Sequence, residues 1–176
     1  MVFLLRVAGR LVTLPRQTFP DVSHIPVLTL LLVILMGAAV AGIVEESAFR
    51  GYMQGAIERR HGPAIAILIT GVFFGLAHLT HGSSIIILLP YYVAVSAVYG
   101  ALAYLTGSIL PSLVLHSVGD AVSAIVEWLG SPAPPPKTLV WHNGADASFL
   151  INCAIEILLI VATILAYRNL ARSRNW

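Results

Sequence analysis

VLTLLLVILMGAAVAGIV, residues 27–44, runs without a break into Glu45-Glu46-Ser47-Ala48-Phe49-Arg50. Eighteen uncharged and mostly apolar positions match the length of a helix that crosses a bilayer, about 17–25 residues. The run is continuously apolar, whereas a barrel strand alternates, so a helix fits it and a strand does not. Its small-residue stretch Gly37-Ala38-Ala39-Val40-Ala41 could pass for a signal-peptide cleavage site. The apolar run begins late and is long for a signal core, so it is read as a span.

The same texture extends in both directions. Beyond the carboxylates the helical pattern continues through Phe49, Tyr52, Met53 and Ile57 to Arg59-Arg60, where Gly62-Pro63 breaks it. Residues 61–119 contain no Lys, Arg, Asp or Glu, and Gly82-Ser83-Ser84 and Gly107-Ser108 divide this stretch into apolar segments at 63–80, 84–106 and 109–129. A Pro-rich loop occupies 130–148, with Pro132, Pro134, Pro135 and Pro136. A last span at about 149–167 leads into a basic tail ending at residue 176. Residues 1–26, interrupted by Arg6, Arg10, Arg16 and three prolines, read as an interfacial segment.

Composition agrees. The chain is 58% hydrophobic and only 10% charged, against about a quarter charged in soluble domains, and its mean hydropathy is +0.88. The expected fold is all-α, a polytopic transmembrane helix bundle of about five spans (four to six) with a site buried between helices and the lipid bilayer as surroundings. A net charge of +2 carries no signature of a nucleic-acid partner. Cys153, the single cysteine, lies in an apolar run and reads as a small packing residue. The absence of an internal repeat gives no support to an inverted-repeat transporter. The basic residues divide almost evenly between the two sides, leaving orientation open, and oligomeric state is not legible.

Ionisable groups at membrane depth cost several kcal/mol each and call for a pairing or a function. Three clusters stand out. In the first, Glu46 and Arg50 are four apart and can pair on one helix face, while Glu45 points about 100° away and has no local partner. An uncompensated carboxylate in low dielectric suits a general base. The second cluster is Phe74-Gly75-Leu76-Ala77-His78. The third is His116-Ser117-Val118-Gly119-Asp120, in which His116 and Asp120 again share a face. Counting rise per residue from the side bearing Arg59 and Arg60 puts Glu45 and His78 at about 22 Å, with His116 and Asp120 shallower at roughly 12–18 Å. Glu45, His78, His116 and Asp120 could therefore converge on one buried site. Each cluster alone also has a structural reading, as an interhelical hydrogen-bonder or ion pair. Tyr91, Tyr92, Tyr99 and Tyr104 read as ordinary span and interface residues, and Glu156 as a bundle-facing one.

In this order and on apolar helices, Glu45-Glu46-x-x-x-Arg50, Phe74-x-x-x-His78 and His116-x-x-x-Asp120 resemble the three motifs of the CAAX protease and bacteriocin-processing family. That family is also called Abi or CPBP and includes the Ras-converting CAAX endopeptidases. The resemblance covers about residues 27–129. It implies an intramembrane endopeptidase that hydrolyses a peptide bond with activated water. By position, Glu45 would activate the water and His78 would help hold it. His116 and Asp120 would stabilise the oxyanion, with Glu46, Arg50 and Phe74 supporting the site. Some relatives carry Asn where this chain has Asp120. An ionised carboxylate repels an oxyanion, so Asp120 would act protonated or by orienting His116. No cofactor is the preferred expectation. The alternative is a divalent metal such as zinc held by Glu45, His78, His116 and Asp120.

The partner implied is a peptide or membrane-protein substrate, of CAAX or bacteriocin-like type, and the small size favours a minimal enzyme of a bacterial cell membrane. Two other classes remain. One is a non-catalytic immunity or scaffold protein that keeps these polar residues as packing. The other is a small proton-coupled transporter, disfavoured because the ionisable residues gather toward one side and the 84–106 span has none.

Overall fold

The computed structural model describes residues 2–13, 22–81, 83–129 and 138–173. Pro15, Pro20 and the Pro132–Pro136 region of the loop lie outside the described residues. Among those described there is no strand. Helix α1 spans Val2–Leu11, α2 Val27–Glu45, and α2 continues through a π-helical segment, Glu46–Gln54, into α3, Gly55–His61. Then follow α4 (Pro63–Ala77), two short 3-10 turns (His78–His81 and Ser83–Leu88), α5 (Leu89–Thr106), α6 (Leu110–Leu129), the short α7 (Val140–Asn143) and α8 (Ala147–Ser173). The protein is a helical membrane bundle.

The breaks follow local chemistry. Pro63 sits at the start of α4, where its missing N–H is not needed. Gly107 closes α5 in the left-handed region at φ 66°, a conformation that glycine adopts without steric cost. Among the described residues, four helical stretches are long and apolar enough to cross a membrane: Val27–His61, Ile86–Thr106, Leu110–Leu129 and Ala147–Ser173. The expected 63–80 span is shorter than its apolar run. Regular α-helix stops at Ala77 and gives way to a 3-10 turn beginning at His78. Fifteen residues of α-helix reach about 22 Å, short of the roughly 30 Å hydrocarbon layer. The expected 84–106 span likewise begins as a 3-10 turn and becomes α-helical at Leu89.

Polarity is arranged for lipid. Val27, Leu28, Val33, Met36 and Val40 of α2 face outward, as do Leu150, Ile151, Ile157 and Leu158 of α8. The buried set is rich in polar and small residues: Glu46, Arg50, Gln54, Thr70, Ser96, Ser112 and His116, with Ala66, Phe74 and Tyr99 among the apolar and aromatic ones. Lipid tails are as apolar as leucine, so helix association relies on close packing of small residues and on interhelical hydrogen bonds. Helix α4 packs along α5, α2 along α6, and α5 against α6. At the α2–α6 contact a Cβ on Gly42 would collide with Ser117 Oγ and approach the Leu113 carbonyl to 3.3 Å. Glycine thus sets the approach of these helices one turn from Glu45 and beside His116.

Helix α8 sits outboard, against α5 and α1. Tyr167 donates to the Val98 carbonyl at 2.8 Å, tying α8 to α5. Arg10 on α1 donates to Asp146 Oδ2 at 2.7 Å and to the Thr138 carbonyl at 2.8 Å, while Trp141 Nε1 donates to the Leu11 carbonyl at 2.8 Å.

Candidate active site

The site is built on the π segment. Its buried residues are Glu46, Arg50 and Gln54, spaced four apart, and all three are polar. π-Helical turns inside α-helices concentrate at functional positions, and this nine-residue segment carries a polar stripe into the bundle.

Glu46 has no exposed surface and serves two partners through one oxygen. Its Oε1 lies 3.0 Å from Arg50 Nη1 and accepts a hydrogen bond from His116 Nδ1 at 2.9 Å. Arg50 Nη2 in turn donates to Ser96 Oγ at 2.7 Å and to the Ser96 carbonyl at 3.2 Å. The guanidinium carbon stands 4.7 Å from the Phe74 ring centroid and 5.3 Å from that of Tyr99, a range in which ring quadrupoles attract a cation. Gln54 Nε2 donates to the Gly100 carbonyl at 2.9 Å. Each of the three side chains is thus tied to α5 or α6, while Glu46 Oε2, Arg50 Nε and Gln54 Oε1 are buried without a hydrogen-bond partner.

Glu45 differs in kind. Its side chain is 29% exposed, and Oε2 is a buried oxygen with no hydrogen-bond partner, 3.8 Å from His116 Nε2. On the same side Asp120 Oδ2 lies 3.4 Å from His116 Nε2, and the Asp120 side chain is 35% exposed. His116 therefore has a closed edge, Nδ1 against the sealed Glu46, and an open edge, Nε2 toward Glu45 and Asp120. Because a carboxylate only accepts, the 2.9 Å contact places a proton on Nδ1.

His78 follows the same plan on another helix. Its Nδ1 donates to the Phe74 carbonyl at 2.8 Å, which leaves Nε2 as the acceptor in the neutral ring. Phe74 is buried between the two histidines, 4.6 Å from the His78 ring and 6.0 Å from the His116 ring.

The structure gathers Glu45, Glu46, Arg50, His116 and Asp120 by direct contact and links His78 to them through Phe74. The rise count let Glu45 and His116 converge, and their side chains face each other at 3.8 Å. One sequence reading is corrected: α5 was read as a span of ordinary apolar and interface residues. Tyr99 stacks on His116 with centroids 4.8 Å apart, Tyr92 stacks on His78 at 4.1 Å, and Ser96 holds Arg50. The spacing 92, 96, 99 is a helical stripe and was the signal available, but uncharged residues did not mark it as part of a site. Glu156 keeps Oε2 buried without a hydrogen-bond partner in α8.

Of the four residues expected as zinc ligands, Glu45 and Asp120 face His116 Nε2 at 3.8 Å and 3.4 Å, while His78 stands beyond Phe74. Among the described residues no group of three or more His, Cys, Asp or Glu side chains is disposed to hold a metal ion.

No curated protein and no solved structure matches the chain. A family model does, that of the type II CAAX prenyl endopeptidase Rce1-like proteins, over residues 27–122. The matched segment is more than half of the chain. It begins at the first residue of α2, ends in α6 just after Asp120, and so contains each of the site residues described above, while α1, α7 and α8 lie outside it. The chain belongs to the Rce1-like family of type II CAAX prenyl endopeptidases.

Proposed function

We propose that this protein is an intramembrane endopeptidase that cleaves membrane-associated proteins or peptides, of CAAX or bacteriocin-like type, with water activated by Glu45 and without a metal. The observation that carries this reading is the contrast between adjacent carboxylates. Glu46 is sealed, with Oε1 engaged by Arg50 and His116, whereas the Glu45 side chain is 29% exposed and places Oε2 3.8 Å from Nε2 at the open edge of His116.

In this mechanism Glu45 takes a proton from water as the water oxygen bonds to the scissile carbonyl carbon. His78 accepts from the same water through Nε2. The carbonyl oxygen becomes an oxyanion, to which His116 in its doubly protonated form donates from Nε2; one such donor is worth about 2.7–4 kcal/mol in comparable sites. Asp120 acts through His116, because an ionised carboxylate would itself repel the oxyanion. Glu45 then passes its proton to the leaving amine as the C–N bond breaks. The cellular location that suits this activity is the plasma membrane of a bacterium.

The test compares protein termini by mass spectrometry in membranes from cells expressing the wild-type chain or Glu45→Gln at matched levels. New termini that require Glu45 are the expected result. Folded, membrane-inserted protein of both kinds with identical termini would return the scaffold reading.

A further inference from the structure

The two histidines share a support that the peptidase motifs do not contain. The His78 ring lies on Tyr92 with centroids 4.1 Å apart and planes 26° from parallel, and the His116 ring lies on Tyr99 at 4.8 Å and 17°. Tyr92 and Tyr99 are seven residues apart on α5, two helical turns, and so project from one face. Ser96, between them on that face, receives Arg50. One uncharged stripe of α5 thus touches His78, Arg50 and His116, each of which comes from a different helical element.

His78 needs such a support more than His116 does. It sits where α4 ends and a 3-10 turn begins, so regular helix continues on one side of it only. Its Nδ1 is committed to a carbonyl on its own helix, Phe74 O, at 2.8 Å. That bond survives only while the ring keeps its plane. Two rings lie against it: Phe74, 4.6 Å away and tilted by 45°, and Tyr92, nearly parallel at 4.1 Å. Phe74 belongs to the same helix, so Tyr92 is a contact through which a neighbouring helix holds the imidazole. Tyr92 is partly exposed, whereas Tyr99 is buried, so a change at 92 disturbs the packed interior less.

We propose that Tyr92 is a positioning residue, whose ring holds His78 in the tautomer with Nδ1 protonated and Nε2 as the ring's acceptor. The catalytic part of this inference rests on the endopeptidase reading; the tautomer part does not. A reacting group moved by about 1 Å loses on the order of 100-fold in rate, so loss of the stacking face acts on kcat and leaves KM near its original value.

The experiment uses the full chain in detergent micelles, with ¹⁵N-labelled histidine and long-range ¹H–¹⁵N correlation spectra, together with a farnesylated peptide ending in a CAAX sequence as the cleavage probe. Wild-type protein is expected to show His78 as a single tautomer with the proton on Nδ1. Tyr92→Leu is expected to give averaged nitrogen shifts at His78 and a kcat lower by about 10- to 100-fold at similar KM. Tyr92→Phe, which keeps the ring and removes the hydroxyl, is expected to rescue both. Tyr92→Met replaces the leucine variant if the latter does not fold. An unchanged His78 tautomer in the folded leucine or methionine variant would overturn the proposal, as would a phenylalanine variant as defective as leucine. If the wild-type chain leaves the peptide intact while the tautomer responds as expected, positioning by Tyr92 stands and the reading of prenyl-peptide cleavage falls.

Discussion

His116 Nδ1 lies 2.9 Å from Oε1 of Glu46, a residue seventy positions earlier in the chain. This bond joins α6 to the first residue of the π segment and places an imidazole directly against a carboxylate that has no exposed surface. It gives the paired glutamates distinct tasks. Glu46 holds Arg50 and His116 from a sealed position, and the Glu45 side chain, 29% exposed, stands at the other edge of the same ring.

Arg50→Ala should damage stability more than chemistry. Both side chains of the Glu46–Arg50 pair are fully buried, and removing one partner of a buried pair costs about 3–5 kcal/mol because the remaining charge is stranded. The measurement is folded yield and thermal unfolding in detergent, compared with Glu45→Gln, which should retain near-normal stability. A stable, well-folded but inactive Arg50→Ala protein would contradict this division of labour.

Asp146 offers a pH-dependent test outside the spans. Its carboxyl is held below the ordinary aspartate value of 3.8, first by the hydrogen bond from the Phe149 amide and then by Arg10. A lowered folded pKa means that its contribution is present above the ordinary value and is lost as pH falls through the folded one. The Phe149 amide resonance should therefore titrate with a midpoint below 3.8. Arg10→Ala should move that midpoint upward, and an unmoved midpoint would show that α1 is not seated on α8 through this pair.

Metal removal should leave activity intact. The proposed chemistry needs only Glu45, His78 and His116, with no metal ion to activate the water. Purified active protein should contain well below one zinc per chain by elemental analysis, and cleavage should persist after dialysis against a chelator. Loss of cleavage restored by zinc would replace this mechanism with metal-bound water.

The sequence by itself determined whatever depends on helical period and apolar length. Residues 27–44, 109–129 and 149–167 announced their helices, because a continuously apolar segment in lipid must satisfy its backbone internally. Glu46–Arg50 and His116–Asp120 were legible as i,i+4 pairs and stand at 3.0 Å and 3.4 Å, since helix geometry alone brings such residues together. Only the tertiary structure decided which carboxylate takes His116 Nδ1, that α5 supplies Tyr92, Ser96 and Tyr99, and that the chain after Glu45 winds as a π-helix. Those outcomes depend on how closely α2, α4, α5 and α6 approach, as at Gly42 against Ser117. Interhelical approach is a property of side-chain packing between segments 46 to 70 residues apart, and no local periodicity encodes it.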